Sequence, residues 1–220
     1  MQKKIEENVI KDELIQIRPS WYIGNQDVNI WSRVHPRFKE HDGCVVDLGC
    51  LGWNKKFEDI TSDNWAGYFF GKKRVIGVDP QEVENEYSEL FQGFISTYTG
   101  KARLTSNGIA GAIIPDERGE YSVLKWLDFK SKFDIKSISI LKVNIEGSEW
   151  NLFDSFDDFD SIDQICVSFH NFLPQFNNKT YHEKTKHCIN TIIENDFTMV
   201  DLEIYGWKLF LKNYNNKQNI

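Results

Sequence analysis

The stretch Cys44-Val45-Val46-Asp47-Leu48-Gly49-Cys50-Leu51-Gly52-Trp53 constrains this chain more than any other. Its apolar start, with two adjacent β-branched valines, suits a strand buried on both faces. The run then stops at Gly49, and a second glycine follows at Gly52. A buried strand ending in a glycine turn is how an open α/β sheet makes room for a ligand at its carboxyl edge. A plain strand-to-helix turn has the same sequence signature, and both readings stand on this stretch alone. Asp47 is the informative residue, because a carboxylate before the turn repels a pyrophosphate and attracts a cation.

A dinucleotide fingerprint, G-x-G-x-x-G, needs its second glycine where the backbone approaches the pyrophosphate. Leu51 stands at that position when counting from Gly49. S-adenosylmethionine carries no phosphate, and its sulfonium and ammonium tolerate a nearby carboxylate. The pattern D-x-G-x-x-G therefore favours S-adenosylmethionine over NAD.

The remaining chain supplies strands and crossovers for such a sheet. Residues 74–79 read as a second strand ending on Asp79, where α/β nucleotide folds hold a ribose-binding carboxylate. Pro80 then opens a helix through Glu82–Phe91, followed by a third strand at 93–98 that contains Ser96. Residues 107–120 read as a loop, whose apolar run Ile109–Ile114 suits a partly buried lid or ordinary surface packing. Further strands are expected at 121–124, 137–143, 164–169, 197–204 and 207–212, and helices after Trp126, after Ser148 and at 180–195. Upstream, 2–17 reads as a helix ended by Pro19, and 20–42 as an aromatic-rich irregular segment. The expected division is a lead-in at 1–42 that helps cover a site, a domain at 43–213 and a frayed tail at 214–220.

At 220 residues the chain suits one domain with a full core. A formal net charge of −7 disfavours nucleic acid or an anionic membrane as the main partner. The four cysteines have no C-x-x-C spacing, which suits a reduced, cytoplasmic protein. No stretch approaches the ~20 apolar residues of a membrane span, and the amino terminus does not read as a signal peptide.

Alternating strands and crossovers give a mostly parallel sheet, which puts Asp47, Gly49, Asp79, Asn144, Glu146 and His170 on one rim. Methyl transfer to a hydroxyl needs alignment and a base, and His170 is the candidate base because imidazole titrates near neutral pH. A structural histidine at a strand end is the plainer alternative. Glu146 and Glu149 could orient an acceptor or offer hard oxygens to Mg²⁺, although the helix dipole also accounts for Glu149. His182 and His187 are five apart, so H-E-x-x-H is absent, as are G-x-S-x-G and the P-loop.

Four segments together resemble the FkbM-type S-adenosylmethionine-dependent methyltransferases: Val45–Gly52, Val75–Pro80, Trp126–Asp128 and Ile140–Glu149. The last is similar to the family hallmark L-K-[IV]-D-[VI]-E-G-x-E, and order and spacing agree from about residue 43 to 171. The resemblance implies a class I methyltransferase fold: a Rossmann-like three-layer sandwich around a mostly parallel seven-stranded sheet whose last strand is antiparallel. It implies methylation of a sugar hydroxyl, on a polysaccharide, a glycolipid or a nucleotide-linked sugar, with S-adenosylhomocysteine as product. Asp47, Gly49 and Gly52 would line the methionine half of the cofactor, Asp79 would bind the ribose, and Ser96 joins the cofactor set. Asn144 departs from the usual aspartate and shifts the catalytic burden to Glu146 and His170. The alternatives are a cofactor-binding partner subunit that has lost catalysis, and an NAD-dependent oxidoreductase. For a nucleotide-linked acceptor, Arg33, Arg37, Lys101 and Arg103 are the candidate diphosphate contacts.

Overall fold

The computed structural model describes residues 13–16, 22–23, 26–27, 33–50, 62–81, 89–104, 113–202 and 206–212. Gly52, the 109–112 part of the apolar loop run and the tail at 214–220 lie outside these residues.

The lead-in contributes four two-residue strands: β1 (Ile15–Gln16), β2 (Tyr22–Ile23), β3 (Gln26–Asp27) and β4 (Arg33–Val34). β1 pairs with β4, so the end of the expected helix at 2–17 is extended, and β2 pairs with β3. The main strands are β5 (Cys44–Leu48), β6 (Val75–Asp79), β7 (Glu89–Ser96), β8 (Gly100–Leu104) and β9 (Ile113–Pro115). They continue with β10 (Tyr121–Lys125), β11 (Ile138–Val143), β12 (Gln164–Ser168), β13 (Phe197–Asp201) and β14 (Trp207–Lys212). Among the described residues the α-helices with both ends in view are α1 (Trp126–Lys132), α2 (Glu149–Asp154) and α3 (Lys179–Glu194).

β5 to β14 form one ten-stranded sheet in the order β13-β14-β12-β11-β5-β6-β7-β10-β8-β9. The pairings among β12, β11, β5, β6, β7 and β10 are all parallel, whereas β14 runs antiparallel to both its neighbours. The sheet is thus α/β and mostly parallel, as the strand and crossover pattern predicts, but it has ten strands rather than seven. The excess is β10, β8 and β9, which extend one edge. Two readings change there. The end of the expected Glu82–Phe91 helix is strand, with Phe91, Gly93 and Ile95 buried at alternate positions as a half-buried strand requires. Ile113 and Ile114, assigned to a loop, instead pair with Leu104 and Arg103.

The sheet has an apolar layer on each side. On one, Val46, Leu48, Leu141, Val143, Ile165 and Val167 meet Trp126 and Phe129 of α1, Trp150 and Phe153 of α2, and Cys188 and Ile192 of α3. On the other, Val45, Val75, Ile140 and Cys166 meet Trp65 and Phe69 of a 3₁₀ helix (Ser62–Phe69) together with Val34 and Phe38 of the lead-in. A register shift between Ile138 and Ile140 puts Ile138 and Leu141 on the same face. All four cysteines are free and buried, and burial raises the Cys44 thiol to about 11 and Cys166 and Cys188 to about 12. Among the described residues no helix is long and apolar enough to cross a membrane.

The lead-in is tied to the amino edge of the sheet. The His35 amide donates to Gln164 Oε1 at 3.0 Å, and Arg37 bonds Asp163 and the carbonyls of Asp163 and Lys212. Residues 33–40 therefore flank the edge opposite the strand ends that carry the candidate site. Arg37 is engaged there and lies away from any acceptor on the rim.

Candidate functional site

Parallel register aligns Leu48, Val78, Val143 and Val167 in one row across four strands. The residues just beyond this row are Gly49, Asp79, Asn144 and Ser168, which makes them the carboxyl rim. Chain direction across the sheet reverses between β5 and β11: β5, β6 and β7 progress one way, β11 and β12 the other. That reversal is a topological switch point, where the loops leaving two adjacent strands part and open a crevice.

Gly49 has φ +88°, and a Cβ there would lie 2.0 Å from the Asn144 carbonyl oxygen. Glycine is required, as the sequence predicts, but it is the loop leaving β11 that makes the close approach. The Asn144 amide donates to the Leu48 carbonyl at 2.9 Å, which fastens the two strand ends together.

Asp47 does not face outward as an open carboxylate. It is fully buried, and Lys142 Nζ donates to its Oδ1 at 2.6 Å and to the Gly49 carbonyl at 3.4 Å. Lys142 is also fully buried, so the pair is neutral overall and the attraction expected for a sulfonium is already spent internally. Sequence reasoning gave Lys142 no role. The available signal was a lysine inside an apolar strand, which must find a buried counter-charge.

Asp79 closes β6, is mostly buried, and accepts the Gln81 amide on Oδ1 at 2.9 Å. Its register partner on β7 is Gln92. Ser96 lies four residues further along, roughly 13 Å at the rise of a strand, and so does not adjoin Asp79.

His170, Glu146 and Glu149 do converge. His170 follows β12, whose end is braced by the turn between β13 and β14: the Phe169 amide donates to the Gly206 carbonyl at 3.2 Å. His170 Nδ1 lies 2.7 Å from Glu149 Oε1, and Nε2 lies 3.4 Å from Glu146 Oε1. Glu149 is fully buried and also accepts the Ile145 amide at 3.1 Å and the Gly147 amide at 3.0 Å. Its carboxylate thus holds the loop between β11 and α2 as well as the imidazole, which is more than a helix-dipole contribution. Ser148 stands at the N-cap position but its side chain makes no capping bond. Within the loop, Glu146 has φ +53° and Gly147 φ +101°, a left-handed pair that lifts the Glu146 side chain into partial exposure (33%).

Burial pulls the His170 pKa down, but hydrogen bonds and charge from Glu146 and Glu149 outweigh it, and the group is raised from 6.5 to about 10. At neutral pH the ring is therefore an imidazolium that donates from both nitrogens. That differs from the near-neutral titration the sequence suggested.

Among the described residues no group of three His, Cys, Asp or Glu is disposed to hold a metal. The local geometry agrees, since Glu149 Oε1 is already taken by the Ile145 amide and His170 Nδ1, and Oε2 accepts the Gly147 amide. These residues do not fit Mg²⁺. Comparison with protein-family models, curated proteins and solved structures finds no match for this chain.

Proposed function

We propose that this chain is an S-adenosylmethionine-dependent O-methyltransferase of the FkbM type that acts on a carbohydrate hydroxyl. The observation that carries the reading is the switch point between β5 and β11, in a sheet where β14, the last strand in chain order, inserts between β12 and β13 and is the reversed one among β5, β6, β7 and β11 to β14. A crevice at that point would be lined by the Gly49 turn and the Asn144–Ser148 loop, with Asp79 one strand away. The Asp79 carboxylate would accept bonds from the ribose hydroxyls, and Asp47, already paired with Lys142, would steady the Gly49 turn rather than attract the sulfonium. Bound S-adenosylmethionine would supply a methyl group on a sulfonium leaving group.

The chain must then orient a hydroxyl and take its proton. Glu146 is the exposed acceptor of the cluster and would orient the hydroxyl. His170 becomes a base only once deprotonated, so transfer should rise steadily from pH 7 toward about 10. A flat profile over that interval removes His170 from the chemistry.

The test of the reading is a calorimetric titration with S-adenosylhomocysteine on the native chain and on Asp79→Asn, which keeps an acceptor for the Gln81 amide but loses the charge. Micromolar binding that weakens at least tenfold in the variant supports the reading; no binding to the native chain overturns it. A second reading, a cofactor-binding subunit without transfer, is favoured by the imidazolium form of His170 and by Asn144. It predicts cofactor binding, no transfer to any sugar, and no rescue by Asn144→Asp.

A further inference from the structure

We infer that Phe172 is the stacking platform for the acceptor, and that it selects a pyranose with axial C–H bonds gathered on one face. This deepens the carbohydrate reading above and rests on it for the reaction, though not for the binding.

The loop after β12 carries three phenylalanines with different fates. Phe169 is buried in the core, and Phe176 packs edge-on against Trp150 and Tyr181, its ring where a Cβ on Gly147 would sit. Phe172 is 40% exposed. Among the described residues the other exposed large hydrophobics are Ile114 and Leu127, so Phe172 is the aromatic one. Its position is held from both sides. The Leu173 amide donates to the His170 carbonyl at 3.0 Å, closing a turn with Asn171 and Phe172 at its centre. Asn171 Nδ2 lies 2.9 Å from His182 Nδ1, and His182 Nε2 lies 3.0 Å from Asn177 Oδ1, which ties that turn to α3.

The Phe172 ring centroid lies 5.5 Å from that of His170, with an interplanar angle of 32°. The half-exposed ring and the partly exposed carboxylate of Glu146 therefore flank the same imidazolium. A flat apolar face beside a carboxylate matches the two sides of a sugar. Axial C–H bonds carry small positive charge and meet the negative face of an aromatic ring, while equatorial hydroxyls donate to the carboxylate. A purely covering role for Phe172, shielding the imidazolium, would need an apolar group but not a flat one. Leucine and tryptophan therefore separate the two roles.

The experiment is saturation-transfer NMR on the full chain with methyl β-galactopyranoside and methyl β-glucopyranoside, and with sorbitol as an acyclic control. The native chain and Phe172→Trp should saturate the ring-face protons of at least one glycoside and leave sorbitol untouched. Phe172→Leu should weaken binding about tenfold, the worth of one aromatic stacking contact, while its His170 imidazole titrates as in the native chain. Equal binding by Phe172→Leu, or saturation of neither glycoside, overturns the inference. S-adenosylhomocysteine binding without glycoside saturation defeats this inference and leaves methyl transfer standing. Glycoside saturation without S-adenosylhomocysteine binding does the reverse.

Discussion

Two charge clusters sit near the same rim and share an ingredient, a fully buried carboxylate paired with a cation. In Asp47–Lys142 both partners are closed off from solvent. In Glu149–His170–Glu146 the chain of contacts ends on a carboxylate one third exposed and beside a half-exposed aromatic ring. The first arrangement can only hold strands together. The second has a group left over to meet something outside. Burial of charge alone therefore does not mark a site; an exit for the charge does.

The largest expected effect separates the clusters by stability. Lys142→Met leaves Asp47 charged without its lysine and should cost about 3–5 kcal/mol, whereas Lys142→Met with Asp47→Leu should recover most of it. Urea unfolding of the two variants checks this, and equal losses would mean that the pair is not a closed unit. Glu149→Gln comes next. It weakens charge-assisted bonds to His170 and the Gly147 amide, and should cost about 1.5–3 kcal/mol. It should also lower the His170 pKa, read from imidazole NMR shifts. If only stability moves, Glu149 serves the loop and not the histidine.

The pH dependence follows from the raised His170 pKa. Its stabilising contribution is fully present below 6.5, the ordinary value, and is lost as pH rises through about 10. The melting temperature of the native chain should therefore fall between pH 7 and 10 relative to His170→Gln. Parallel curves would show that the two carboxylates do not hold the proton. The smallest effect is at the surface pair Arg74–Glu89, where both side chains are more than 40% exposed. Glu89→Gln should cost less than about 1 kcal/mol, since solvent screens the pair, and it serves as the open-charge control for both clusters.

Local features of the chain carried much of this. Apolar, β-branched runs buried on both faces mark the strands β5, β6, β11 and β12, and the glycine at 49 and the polar residues at 79, 144 and 170 mark where they end. These signals are local because strand pleat and turn geometry act over a few residues. In the three-strand extension β10 was legible as the strand expected at 121–124, whereas β9 was not, since it is only three residues long and has two exposed positions, leaving almost no periodicity to read.

The pairing of charges was decided by the tertiary structure. Asp47 meets Lys142 only because β5 and β11 are aligned in one register across 95 residues of chain. His170 takes its pKa from Glu146 and Glu149, which a separate strand and loop deliver to it. Residue type and local pattern therefore showed where polar groups would stand along the rim. Their charge states depended on partners distant in sequence, because electrostatic energies follow distance and burial in space rather than position along the chain.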